Sequence, residues 1–367
     1  MESRAPPLHT GSSVVSVQEL AKEAMEAVPE RYVRHDQEPQ IFSFSGNGST
    51  ETPVVPIIDL GKLSLDQTAG DHELQKLHEA CKDLGLFQLV NHGIGPSLLE
   101  DLRHEIEEFF KLPLSEKTKF GVKPGEFEGY GSAPRSEGKL DWGDRFFMIV
   151  NPVAKRRPHL FPELPLSLRN TLDSYIKATQ KLAMQMLRLI SKLLGMEMNE
   201  MKDLFEDGFQ TMRMTYYPPC PQPELVVGLT PHSDATGITI LHQINGVDGF
   251  QIERGGVWTP IHILPHALVV NVGDTMEILS NGLYNSIEHR ATVNSTRERI
   301  SIAMFFNPKL DSEIGPIRSL TTAENPALFR RITTEKYVKD FFSHELNGKS
   351  YLERIKLQPE KAVARQA

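Results

Sequence analysis

Residues 229–241 read LTPHSDATGITIL, and the triplet His232-Ser233-Asp234 near their start decides how the rest of the chain is read. Side chains two apart on an extended strand point to one face, so His232 and Asp234 project together if this stretch begins as a strand. A third candidate lies in Ser286–Val293, SIEHRATV, where Ile287, His289, Ala291 and Val293 share a face and Glu288 and Arg290 take the other. An imidazole on an otherwise apolar face needs a partner, because burying it unpaired is costly. A divalent metal would satisfy it; a hydrogen bond to a backbone carbonyl is the plainer alternative. Two imidazoles and one carboxylate hold a metal from one side and leave the opposite positions open. H-x-D occurs by chance in long chains, so the weight rests on the agreement between the two segments.

A second constellation concerns charge. In Arg299–Phe306, RISIAMFF, the period of two puts Arg299, Ser301, Ala303 and Phe305 on one face. An arginine at the start of an inward face is costly unless an anion meets it. Its planar fork matches a carboxylate, and a serine hydroxyl two residues on adds a further hydrogen bond. Upstream, Gln210–Tyr217, QTMRMTYY, sets Arg213, Thr215 and Tyr217 on one face and Met212, Met214 and Tyr216 on the other. Tyr217 can donate its phenol to the same anion, whereas Arg213 alone reads equally well as a salt-bridge partner for one of the chain's many acids. An open-sided metal beside an anion grip suits a dicarboxylate co-substrate, and the ligand set is that of non-haem Fe(II) oxygenases.

Composition sets bounds on this reading. The 367 residues carry a formal net charge of -8, with a pI near 5.9, which argues against nucleic acid and anionic membrane surfaces as partners. No apolar run reaches the roughly 18 residues that a membrane-spanning helix needs. The first residues, MESRAPPLHTGSS, lack an apolar signal core, and Cys81 and Cys220 are the only cysteines. A cytoplasmic monomer acting on a small molecule is expected, with the sequons at Asn47 and Asn294 unglycosylated.

The chain divides into four stretches. Residues 1–52 form an extension with a short helix over Val17–Ala27, followed by a Gly/Ser/Asn-rich linker, SFSGNGST. Residues 53–208 open with the strand IIDL and continue as helices with apolar residues at i, i+3 and i+4: Leu74, Leu77 and Cys81, then Leu98, Leu102, Ile106, Phe109 and Phe110. The longest helix spans about Ser167 to Leu194, with Gly195 as its C-terminal stop. Residues 209–310 are strand-rich, with hairpin signals at Arg254-Gly255-Gly256 and Asn281-Gly282. Residues 311–367 form a tail that reads as helical from Glu324 to Leu357 and is placed to pack over the mouth of the strand-rich part.

Eight segments, in order across roughly residues 53–310, resemble the plant 2-oxoglutarate/Fe(II)-dependent dioxygenases, nearest the senescence-related and benzylisoquinoline O-demethylase-like group. They are PVVPIIDL, LGLFQLVNHGI, LDWGDRFF, YYPPCPQPE, GLTPHSD, VNVGDTMEILSNG, SIEHR and RISIA. The resemblance implies a mixed α and β fold, a distorted double-stranded β-helix (jelly roll) core flanked by helices. It implies His232, Asp234 and His289 as iron ligands, with Arg299, Ser301 and Tyr217 holding 2-oxoglutarate. Thr215 departs from the pattern: members usually carry an Asn there that helps to orient the co-substrate. The resemblance also implies dioxygen as the second co-substrate, ascorbate to keep the iron reduced, and succinate, CO2 and a hydroxylated or O-demethylated molecule as products. An intact carboxylate at Asp234 argues against halogenation.

Alternation and resemblance together nominate Arg213, Tyr130, Phe146, Phe147 and Phe305 for a flat, largely apolar substrate pocket, with Phe146 or Phe147 equally readable as core. His92 in VNHGI is read as bonding locally rather than to iron. Other readings stay open at this point: an iron enzyme of the same fold using another reductant or running a condensation, and a metal-binding protein without turnover.

Overall fold

The computed structural model describes residues 16–23, 25–35, 55–63, 68–131, 139–196, 198–344 and 346–357. The linker read at 43–50, with its sequon at Asn47, lies outside them. In chain order the first helix is α1 (Val17–Leu20), and the first strand β1 (Ile57–Asp59). Then come α2 (Thr68–Glu79), β2 (Leu86–Val90), α3 (Pro96–Lys111), α4 (Leu114–Lys117), β3 (Gly129–Tyr130) and β4 (Asp144–Asn151). Helices α5 (Leu166–Leu193) and α6 (Met198–Phe205) precede β5 (Gln210–Tyr217), β6 (Leu229–His232), β7 (Ile238–Gln243), β8 (Phe250–Arg254), β9 (Val257–Pro260) and β10 (Leu268–Val272). Next are α7 (Asp274–Leu279), β11 (His289–Ala291), β12 (Arg299–Phe306), β13 (Glu313–Ile314), β14 (Ile332–Thr333), α8 (Thr334–Phe342) and α9 (Ser350–Glu353).

Two sheets face each other as a distorted jelly roll. The larger has the order β1-β2-β10-β7-β12-β5-β4-β3, and the smaller β6-β11-β8-β9. The outer face of the larger sheet is covered by α2, α3 and α5, because each helix carries one apolar stripe that must be buried. In α3 that stripe is Leu99, Leu102, Ile106, Phe109 and Phe110, with Pro96 fixing the first turn. Helix α5 buries its stripe along 28 residues and stops where Gly195 turns left-handed at φ +64°. The main core lies between these helices and the sheet. A second apolar cluster, including Phe147, Leu241, Phe250 and Phe305, fills the space between the two sheets. No helix among the described residues is long and apolar enough to cross a membrane.

Three sequence expectations are corrected here. The hairpin at Arg254-Gly255-Gly256 forms, joining β8 to β9 with Arg254 opposite Val257. The pair Asn281-Gly282, at φ +52° and +81°, instead ends α7, its Gly282 N–H bonding Glu277 O at 2.9 Å. Left-handed pairs serve both purposes, so the dipeptide alone does not distinguish a turn from a helix end. The N-terminal helix stops at Leu20 rather than Ala27, because Val28, Tyr32 and Val33 pack in extended or tightly turned chain against Trp142 and Cys220. The tail from Glu324 to Leu357 is helical only in α8 and α9; β14 pairs with β13, and Gly348 sits at φ +50°, where a helix cannot run through it.

Candidate active site

The site lies between the sheets, and its parts come from strand alternation. In the smaller sheet β6 and β11 pair with His232 directly opposite His289. Each imidazole turns Nδ1 to the carbonyl two residues before it, His232 to Thr230 O at 2.8 Å and His289 to Ile287 O at 3.1 Å. With Nδ1–H donating, Nε2 carries the lone pair and points inward. Asp234 follows the end of β6; its Oδ1 lies 3.5 Å from His232 Nε2 and 3.8 Å from His289 Nε2. Its Oδ2 accepts from Asn271 Nδ2 at 2.8 Å, across in β10 of the larger sheet. One ligand atom from each of the three residues falls within 4.8 Å of the others, and all three residues are buried.

Electrostatics leave this trio ready for a cation. Burial pushes the His289 imidazole down to about 4, so it is neutral at neutral pH. Burial alone would raise the Asp234 carboxyl, but the two imidazoles and the Asn271 amide outweigh it and hold it well below the usual carboxylate range. Two imidazole nitrogens and one carboxylate suit a divalent metal with open positions.

Beside the trio stands an unmatched cation. Strands β12 and β5 pair with Arg299 opposite Tyr217, Ser301 opposite Thr215 and Ala303 opposite Arg213. Arg299 is buried, its Nη1 is 3.5 Å from Ser301 Oγ, and its guanidinium carbon is 5.2 Å from the Tyr217 ring centroid. Among the described residues its Nε and Nη2 have no partner. A buried guanidinium with open donors fits a carboxylate arriving from outside. Its shaft is accommodated by Gly249: a Cβ there would stand 2.8 Å from Arg299 Cδ and 2.8 Å from Thr292 O.

Residues 208–308 match the 2OG-Fe(II) oxygenase superfamily, and residues 55–164 match the non-haem dioxygenase in morphine synthesis N-terminal family. The chain is 50% identical to codeine O-demethylase of Papaver somniferum, over 95% of this chain and 98% of that one. The chain belongs to the 2-oxoglutarate/Fe(II)-dependent oxygenases. This oxygenase is also 46% identical to oxoglutarate-dependent flavonoid 7-O-demethylase 1 of Ocimum basilicum, over 94% and 91% of the two chains. Among solved structures it resembles JOX2 in complex with 2OG, Fe and JA, with a TM-score of 0.84, 35% identity, and 95% and 99% of the two chains covered. Its metal is Fe(II) and its co-substrate 2-oxoglutarate. The donor set and the unpartnered arginine fit both.

Of the residues singled out in the sequence, His232, Asp234, His289, Arg299, Ser301, Tyr217, Thr215, Arg213 and Phe305 are brought to the space between the sheets. Tyr130 and Phe146 are not. Tyr130 donates to Asp144 Oδ2 at 2.7 Å within the main core, and Phe146 stacks on Phe109 at 5.2 Å on the helix-covered face. The residue turned towards the site is Phe147, opposite Arg213 and 6.4 Å from the Phe305 ring. His92 bonds locally, Nε2 to His266 O at 3.0 Å and Nδ1 accepting from Ile94 N at 3.2 Å. Asn271 escaped the sequence reading, although the argument made for His289 applies to it: a lone amide in the apolar strand LVVNV needs a partner.

Proposed function

We propose that this oxygenase O-demethylates a small, planar, largely apolar plant specialised metabolite that carries an aryl methyl ether. In this reading His232, Asp234 and His289 hold Fe(II), Arg299 and Ser301 grip the far carboxylate of 2-oxoglutarate, and Tyr217 and Thr215 line its flank. Iron bound there supplies the redox chemistry that couples dioxygen to decarboxylation of the 2-oxo acid. The balance is one 2-oxoglutarate, one O2 and one methyl ether giving succinate, CO2 and a hemiacetal, which releases formaldehyde and leaves the phenol. The protein's part is position and exclusion of water: the inter-sheet cluster around Phe250, Leu241 and Phe305 keeps the reacting end dry.

The observation that carries the substrate class is the aromatic wall leading away from the ligands. Phe305 is followed by Phe147, then by Phe342 at 5.7 Å from Phe147, and Phe342 stacks on Phe127 at 4.6 Å. Such a wall favours flat rings. The O-demethylase names of the two similar plant proteins support the same reaction. Two buried free cysteines accord with a cytoplasmic enzyme, which we take to be monomeric.

A second reading has its own support. Arg213 makes no ion pair among the described residues, and its guanidinium lies 5.4 Å from the Phe305 ring, on the pocket side. A hormone-like carboxylic acid would use that cation and be hydroxylated instead. The test is a panel of aryl methyl ethers and apolar carboxylic acids with Fe(II), 2-oxoglutarate and ascorbate, following succinate, formaldehyde and product mass. Formaldehyde equal to succinate supports O-demethylation. Succinate with an added oxygen atom and no formaldehyde supports the carboxylate reading and contradicts the first.

A further inference from the structure

Strand β6, which carries His232, is an edge strand: β11 pairs with one side of it, and among the described residues no strand of the sheet covers the other. It is also only four residues long. A short edge strand is poorly held by its own sheet. The C-terminal segment supplies what is missing. Gly348 N–H donates to Pro231 O at 3.1 Å and Gly348 O accepts from Ser233 N at 3.2 Å, bracketing His232 with two backbone hydrogen bonds. Glycine takes the φ of +50° there without strain, and a Cβ would stand 2.7 Å from Glu288 Oε2, so that carboxylate would have to shift.

The next residue carries the contact onward. Lys349 Nζ donates to Glu277 Oε2 at 2.6 Å and to Ser286 O at 2.9 Å. Glu277 Oε2 also accepts from Ser286 N at 2.7 Å, and Ser286 begins the segment that leads to His289. The Ser286 hydroxyl donates to Asp274 Oδ1 at 2.6 Å, and Ser233, between the other two ligands, donates to Asp274 Oδ2 at 3.1 Å. Asp274 N–H donates to Asp234 O at 2.7 Å. The tail thus meets both backbone segments that present the ligands: Gly348 bonds the end of β6 through its backbone, and the Lys349 ammonium bonds Ser286 O and Glu277 at the approach to β11.

We propose that the C-terminal segment Asn347–Lys349 is a clasp on the metal centre, and that Lys349 is a positioning residue for all three ligands. It touches neither metal nor substrate; it fixes the separation between the end of β6 and the approach to β11. This rests on the assignment of His232, Asp234 and His289 as the ligand set. Contacts one layer behind metal ligands commonly matter about ten- to hundredfold in metal affinity.

The test uses Co(II), titrated without oxygen into the full chain and read by its visible absorption. Lys349→Met should weaken Co(II) binding about ten- to hundredfold and alter the band shape. Lys349→Arg, which keeps a cation for Glu277, should stay close to wild type. If Lys349→Met fails to fold, Glu277→Gln/Lys349→Met removes both charges and leaves no buried ion unpaired. That double variant should fold and still bind Co(II) weakly. A lowered melting temperature with wild-type Co(II) affinity and spectrum, in Lys349→Met or in the double variant, overturns the clasp and leaves Lys349 a purely structural residue. Wild-type protein that takes up no Co(II) would bring down the ligand assignment and the clasp together. Normal uptake by wild type, by Lys349→Met and by the double variant overturns the clasp alone.

Discussion

Along β5 and β12 the two faces of one sheet bury different chemistry. Towards the helices the strands present Met212, Met214, Ile300, Ile302 and Met304, all within the main core. Towards the smaller sheet the intervening positions present Arg213, Thr215, Tyr217, Arg299 and Ser301. Apart from half-buried Arg213 both faces are buried, so burial does not separate them; the chemistry of the groups presented does. The helix face is closed by packing, with dispersion and hydrophobic burial complete within the chain. The site face holds a guanidinium with unpartnered donors, and facing it the smaller sheet presents three ligand atoms, groups that molecules from outside can satisfy. Stability is therefore concentrated on one side of these strands and function on the other.

The contrast has a direct test in Arg299 and Ile302, on opposite faces of the same strand. Arg299→Ala should raise KM for 2-oxoglutarate by an amount equivalent to about 2–5 kcal/mol, the cost of losing a charge-assisted pair in a dry pocket. Arg299→Lys should recover only part of this, since the ammonium keeps the charge without the fork. Ile302→Ala should cost about 2–5 kcal/mol of stability, measured by denaturant unfolding, and leave that KM unchanged. If Ile302→Ala instead moves KM, or Arg299→Ala does not, the division of labour between the faces is wrong.

His242 sharpens the comparison, because it is a histidine on the helix face. It lies near Tyr175, its Nδ1 has no partner among the described residues, and burial pushes it down to about 4. The ordinary value is about 6.5, so on acidification the unfolded chain takes up this proton before the folded one does. The stability tied to neutral His242 is whole above about pH 6.5 and is lost as pH falls to about 4, at most about 3 kcal/mol. Unfolding free energies of wild type and His242→Leu at several pH values isolate it. The variant should lose less stability over that window; parallel curves would mean that His242 is not held neutral.

Thr215 is expected to give the smallest effect. It stands opposite Ser301 on the site face, where its hydroxyl makes fewer hydrogen bonds than the asparagine usual in the family. Thr215→Asn should tighten 2-oxoglutarate by about 1 kcal/mol or less, read as KM. Weaker binding would show that this pocket has been shaped around the smaller side chain.

Much of this was legible in the sequence, for a reason particular to these strands. In RISIAMFF and QTMRMTYY polar and apolar residues alternate, so the period of two sorts them to faces without knowledge of the partner strand. In LDWGDRFF it does not: Phe146 and Phe147 are alike, and only the pairing of Phe147 with Arg213 decides which one faces the site. Tyr130 was misplaced because Gly129-Tyr130-Gly131 reads as a loop, whereas it pairs with β4 at the sheet edge and its hydroxyl is taken by buried Asp144. The tail's bond to β6 left no periodic trace, since it rests on one glycine and one lysine.

The central claim is that His232, Asp234 and His289, and no other histidine set, hold the iron. Anaerobic equilibrium dialysis of Fe(II) against wild type, His289→Ala and His92→Ala tests it most directly. Wild type and His92→Ala should retain iron equally, and His289→Ala should lose it while remaining folded by circular dichroism. Iron retained by folded His289→Ala, or lost by folded His92→Ala, would contradict it.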